Sequence, residues 1–264
     1  MSLVTCTVTD GIAQVRLSRP EKLNALTLDL LRELVDTARA LRKDKTLRAV
    51  VVAGDGEAFC AGLDFGSVLK NPRRIAAAFV PSARRGTNLF QEACWAWRRV
   101  PVPVIAAVHG HCLGGGVQIA LAADFRFATP DSTWSVLEGK WGIIPDMSGI
   151  QSLSELVGID QAKRLTMTAE MITGKEAREL GLVTELDPDP VAAATAFAGR
   201  LSERSPDALA AAKRLFDRTW QRSPRRTFAR ERAEQLRLLF GANAKIAREA
   251  AMRRTAAEYR PRQR

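Results

Sequence analysis

Three consecutive glycines, Gly114-Gly115-Gly116, stand between an apolar, β-branched run at 102–108 and an apolar stretch from Val117 to Ala123. The run reads as a buried strand and the stretch as a helix. Glycines at such a corner let the backbone approach a ligand closely, with the free N–H groups of a helix start aimed at it. The corner favours negative charge, either a phosphate or the oxygen of a polarised carbonyl. The plainer alternative is tight strand-to-helix packing with no ligand. A second loop where backbone could face a ligand is GDGEAFCAGLDF (54–65), with three glycines, and a third loop, EGKWGIIPDMSG (138–149), carries Glu138 and Asp146.

The central corner resembles three known devices and departs from each. A P-loop requires Gly-Lys-Ser/Thr after its glycines, where Val117-Gln118 stands. A dinucleotide fingerprint requires GxGxxG, and Gly110 to Gly116 reads GHCLGGG. Gly110-His111-Cys112-Leu113-Gly114 fits a nucleophile elbow with cysteine in place of serine, which would make a Cys hydrolase. That fold takes its base from a later histidine, and none follows His111. What remains is an oxyanion hole. One backbone N–H from 59–65 and one from 114–116 would grip a carbonyl oxygen, each stabilising developing charge by about 3 kcal/mol.

The elements that must position these groups alternate. Residues 3–9 and 12–18 read as strands turned at Asp10-Gly11. Thr27 is placed to cap a helix running to about Lys43, with Leu30, Leu31, Leu34, Val35, Ala38 and Leu41 on one face. Ala49–Ala53 is a short buried strand. Residues 66–99 form a helix-leaning, arginine-rich insert in which Trp95 and Trp97 either line an apolar pocket or belong to the core. Strands near 125–128, 133–136 and 182–186 and helices near 150–157, 160–169 and 174–180 follow. From Pro190 the chain is helical, cut at Ser205-Pro206 and Ser223-Pro224. The pattern predicts an α/β fold, with a core over residues 1–200 and a helical C-terminal region over 201–264.

Composition narrows the function classes. The 264 residues are 46% hydrophobic and carry a formal net charge of +11, of which residues 201–264 hold +10. Most of those arginines read as a solvated helical face, and sparse aromatic interleaving argues against nucleic acid. The beginning of the chain has no signal-peptide pattern and no apolar run is long enough to span a bilayer, so no membrane partner is expected. Cys6, Cys60, Cys94 and Cys112 lack CxxC spacing and only two histidines occur, so no metal site is expected. Four scattered cysteines suit a reducing cytosol.

FCAGLDF (59–65), PVIAAVHGHCLGGGVQIALAADFRFA (103–128) and WSVLEGKWGIIPDMSG (134–149) resemble the crotonase family of acyl-CoA enzymes. RPEKLNAL (19–26) and the helix-rich end fit as well, so the resemblance covers nearly the whole chain. It implies a spiral of ββα turns with a helical C-terminal appendage, homo-trimers or pairs of trimers (hexamers), and a C-terminal region packed across subunits. It also implies that the N–H groups of Leu63 and Gly115 hold a coenzyme A thioester carbonyl. Ala25, Ala61, Gly62, Asp64 and Gly114 would lie along the coenzyme or substrate, with Lys22 and C-terminal basic residues near the phosphates. Coenzyme A is then part of the substrate, and no further cofactor is implied.

By the same resemblance, hydratases of the family use two carboxylates, of which only Glu138 is matched here. Gln118 occupies the first position, and an amide positions water but takes no proton at neutral pH. Asp146 follows Glu138 by eight residues, a pairing similar to that of the family's dienoyl-CoA isomerases, which carry Asp where Gln118 stands. Double-bond isomerisation with Glu138 as the proton carrier, Asp146 assisting and Gln118 holding water or the acyl chain is therefore the favoured expectation. Its alternatives are hydration of a 2-enoyl-CoA by Glu138 alone and an inactive CoA-ester-binding homologue. Asp146 has a structural alternative as the cap of the helix beginning near Ser148.

Overall fold

The computed structural model describes residues 2–263. Strands β1 (Val4–Thr9) and β2 (Ile12–Leu17) form an antiparallel hairpin at Asp10-Gly11. Helix α1 (Leu28–Lys43) begins at Thr27, whose side chain accepts from the Leu30 N–H at 3.1 Å, and its seven buried residues form one apolar stripe. Strand β3 (Ala49–Gly54) follows, then three helices in the insert: α2 (Phe65–Val68), α3 (Pro72–Phe79) and α4 (Leu89–Arg98). Asn88 and Gln91 close a reciprocal capping box on α4.

Strands β4 (Val104–Val108) and β5 (His111–Leu113) lead into helix α5 (Gly115–Leu121), and β6 (Phe125–Ala128) is followed by β7 (Thr133–Ser135). The helix thus starts at Gly115, two residues before the point its apolar composition indicates. The remaining elements are α6 (Gly149–Leu156), α7 (Ile159–Thr168), β8 (Ile172–Thr173), α8 (Gly174–Glu179) and β9 (Glu185–Leu186). Helices α9 (Pro190–Ser202), α10 (Pro206–Thr219), α11 (Pro224–Leu239) and α12 (Ala242–Arg253) complete the chain. Three of these four start on Pro at N1, where the missing N–H would have no helical partner anyway.

Two sheets divide the strands. The larger runs β1-β2-β3-β4-β6-β9 and is parallel from β2 onward; the smaller runs β5-β7-β8. Each of β4 and β6 is followed within a few residues by a strand of the small sheet, so the chain spirals along both. Alternation along β3 sorts its two faces. Val50 and Val52 enter the main core with α1, whereas Ala49, Val51 and Ala53 pack under Ala194 and Ala198 of α9. Helices α10, α11 and α12 lie against one another, tied by Arg214–Glu234 and by Asn243 to Asp207. Among the described residues no helix is long and apolar enough to cross a membrane.

Candidate active site

The 54–65 loop is fastened on both sides. Ala61 N–H donates to Leu23 O, Leu26 N–H to Gly62 O and Asp64 N–H to Leu26 O, while Leu113 N–H donates to Cys60 O. The Leu63 N–H takes no part in this set. Asn24, fully buried in a left-handed conformation, donates through Nδ2 to Asp55 O at 2.9 Å and Ala58 O at 2.8 Å. Arg19 Nη1 donates to Ala25 O at 2.9 Å and Asp64 Oδ2 at 2.8 Å, and Asp64 Oδ1 caps α2. Asp64 therefore spends its carboxylate on the loop and does not line the cavity, and Ala25 serves as a carbonyl anchor. Lys22 is exposed on the turn Pro20–Lys22.

Gly62 brings the two glycine corners together. Its φ of +93° suits glycine, and a Cβ there would stand 3.0 Å from Leu113 O. On the other side Gly114 (φ +51°, ψ −118°) donates its N–H to Ser135 O, and a Cβ on Gly116 would fall 2.5 Å from Cys60 O. Backbone therefore packs on backbone, and Leu63 and Gly115 both border one cavity.

Glu138 sits in the 3-10 turn Leu137–Trp141, only 6% exposed. Its Oε1 accepts from Gln118 Nε2 at 2.6 Å, and its buried Oε2 has no hydrogen-bond partner. Burial pushes its carboxyl above the ordinary value of 4.5, and the Asp146 charge adds to the rise against the opposing hydrogen bond from Gln118. Asp146 is half-buried on the same cavity wall, and burial raises its carboxyl as well. It does not cap α6: the cap position is Ser148, in a left-handed conformation and without a side-chain cap bond. Gln118 is 1% exposed, and its Oε1 accepts from the N–H groups of Met147 at 2.8 Å and Gly149 at 2.9 Å. The expectation that Gln118 holds water or the acyl chain is corrected by this geometry, because both ends of the amide are bonded within the protein and the side chain stays outside the cavity.

The cavity holds about 670 Å³ and is walled by Phe65, Ile75, Phe79, Phe90, Trp141 and Ile144 among others. Among the described residues, Glu138 and Asp146 are its only charged linings, and no hydroxyl, amide or basic side chain borders it. A larger hollow of about 1290 Å³, walled by Arg218, Arg222, Arg226 and Arg230, contains neither glycine corner. Trp97 is core and Trp95 lies beneath the Arg98 guanidinium, so neither borders the apolar cavity. Cys112 is fully buried in β5 with its thiol pushed well above its usual range, which removes the nucleophile-elbow reading. Arg19 and Asn24 are not singled out by the sequence; the one signal for them is a basic and an amide residue either side of the Pro20–Lys22 turn.

Over residues 7–253 the chain matches the family model for enoyl-CoA hydratase/isomerase. It belongs to the enoyl-CoA hydratase/isomerase family. This member of the crotonase family is 35% identical over 199 residues to the mitochondrial Delta(3,5)-Delta(2,4)-dienoyl-CoA isomerase of Rattus norvegicus, a match covering 72% of this chain and 61% of that protein. It is 33% identical over 184 residues to the hydroxycinnamoyl-CoA hydratase-lyase of Pseudomonas fluorescens, covering 69% and 65% respectively. The chain thus spans somewhat less than two thirds of the length of either relative. Its fold is that of the enoyl-CoA hydratase from Bacillus anthracis, with a TM-score of 0.90 at 27% identity over 98% of this chain and 99% of that one. The crotonase-like α/β architecture with C-terminal helices is therefore the observed one.

Proposed function

We propose that this enzyme moves a double bond within the acyl group of an enoyl-CoA, with a dienoyl-CoA as the preferred substrate. The observation that carries the reading is Glu138, buried with one carboxylate oxygen unpartnered, which lines with Asp146 an apolar cavity bordered by Leu63 and Gly115. In this reading the Leu63 and Gly115 N–H groups hold the thioester oxygen and make the adjacent carbon acidic. Glu138 takes a proton from that carbon, and the C–H electrons move into a conjugated enolate whose charge rests on the held oxygen. A proton then returns to a more distant carbon, the electrons move back, and the double bonds have shifted with no net loss of atoms. Asp146 is a second proton-carrying group on the same wall, which a transfer across four carbons needs more than one across two.

Hydration is disfavoured because the partner carboxylate of the hydratase pair is replaced by Gln118, whose amide is turned into the protein. The coenzyme lies along Ala61, Gly62 and Gly114, with exposed Lys22 serving its phosphates. The same reading has the enzyme assembled as trimers or paired trimers in the cytosol, needing no cofactor beyond the coenzyme A of its substrate.

The test supplies a 2-enoyl-CoA, a 3-enoyl-CoA and a 3,5-dienoyl-CoA separately. Isomerisation of the latter two, abolished by Glu138→Ala, is expected. Dominant hydration of the 2-enoyl-CoA would replace this reading with the hydratase one. Tight binding of all three without turnover would replace it with a binding protein.

A further inference from the structure

The amide of Gln118 has no freedom to choose its orientation. Two main-chain donors, Met147 N–H at 2.8 Å and Gly149 N–H at 2.9 Å, converge on one end, so that end is the oxygen. The NH2 end then faces Glu138 Oε1 at 2.6 Å, a donor meeting a carboxylate. Gly149 is part of the same arrangement, since a Cβ there would lie 2.7 Å from Gln118 Oε1 and 2.9 Å from its Cδ. Glutamine is the side chain that satisfies both neighbours at this reach. A glutamate would still accept from 147 and 149 but would turn an acceptor toward Glu138. A methionine would leave two N–H groups and one carboxylate oxygen without partners.

We infer that Gln118 is a positioning residue that occupies one oxygen of Glu138, leaves Oε2 as its one oxygen without a protein partner, and ties Glu138 to the segment carrying Asp146. The inference rests on Glu138 being the proton carrier of the proposed reaction. Its consequence is a base with one defined direction of approach, fixed against α5 on one side and against the start of α6 on the other. The other titratable groups around Glu138 are Asp146 and the buried Cys94 thiol, neither of them cationic. After the backbone N–H of Glu138 itself, Gln118 is the side chain that favours the ionised form of Glu138 against burial.

The experiment measures kcat and KM for 3,5-dienoyl-CoA isomerisation from pH 5 to 9 in the wild type, Gln118→Glu, Gln118→Met and Glu138→Gln, with melting curves for each. Gln118→Glu keeps the contacts to 147 and 149, so it is the variant expected to fold even where Gln118→Met does not. Its carboxyl shares a proton with Glu138, and the acid limb of kcat moves to higher pH by a unit or more. On the acid side of both limbs this reads as a loss of tenfold or more in kcat with KM changed less than threefold, recovering as the pH rises above the shifted limb. Gln118→Met, where folded, shifts the limb in the same direction. A folded Gln118→Glu with the wild-type limb and kcat overturns the inference while Glu138→Gln remains inactive. Wild-type turnover in Glu138→Gln overturns the proposed reaction as well.

Discussion

Glu138 combines two properties that conflict in an ordinary surface acid: it is buried and it keeps one oxygen free. Replacing it by glutamine removes the proposed proton carrier while preserving shape and an acceptor for Gln118. We expect kcat for isomerisation to fall by roughly 10²–10⁴ with little change in KM, measured by steady-state kinetics. Stability should move the other way. A carboxyl whose native pKa lies above its unfolded value is fully accommodated below the unfolded value of about 4.5, and that contribution is lost as pH rises through the native pKa. Glu138→Gln should accordingly be more stable than the wild type at pH 8, by on the order of 1 kcal/mol for one orphaned buried oxygen, with the difference vanishing near pH 4. Thermal melts at the two pH values check this. Asp146→Asn should lower turnover of a 3,5-dienoyl-CoA more than that of a 3-enoyl-CoA, because the second carboxyl matters most where the proton travels farthest. An equal loss on both substrates would return Asp146 to a structural role.

At the scale of elements, the site depends on backbone packing against backbone. Gly116→Ala would set a Cβ 2.5 Å from Cys60 O and push the 59–63 segment away from α5. Displacing one of the two proposed oxyanion donors in this way should cost about 10²–10³ in kcat, while calorimetric binding of an acyl-CoA falls far less. Thr27→Ala, remote from the cavity, should instead cost about 1 kcal/mol in denaturant unfolding and leave turnover alone. What the sequence disclosed follows the same division. The Asp10-Gly11 hairpin, the Thr27 cap and the Pro-led helices were legible because each is decided by neighbours a few residues away. The start of α5 at Gly115 was not, since glycine propensity argues against helix and only packing on Cys60 overrides it. The three-residue strand His111–Leu113 carries too little pattern to stand out and exists through its partner Thr133–Ser135. The inward turn of Gln118 depends on donors at Met147 and Gly149, about thirty residues downstream, and no local signal reports them.

For the molecule as a whole, the cavity and the surface make separate demands. Away from Glu138 and Asp146, the wall of aromatic and aliphatic side chains has only the Trp141 indole N–H to offer a hydroxyl on the acyl chain. Hydrocarbon acyl groups should exceed hydroxylated ones of equal length by about 10- to 100-fold in kcat/KM, read in parallel assays. On the outside, Phe216, Trp220, Phe228, Leu236 and Phe240 of the C-terminal helices and their junctions are exposed. Apolar surface of that extent favours association, and sedimentation is expected to show the proposed trimer or paired trimer rather than a single chain. The proposed chemistry requires two main-chain donors to meet at a single atom. A crystal structure with a bound acyl-CoA measures that directly. The prediction is a thioester oxygen about 3 Å from both the Leu63 and Gly115 nitrogens, with Glu138 Oε2 against the acyl carbons. An oxygen within reach of only one nitrogen, or of neither, would contradict it.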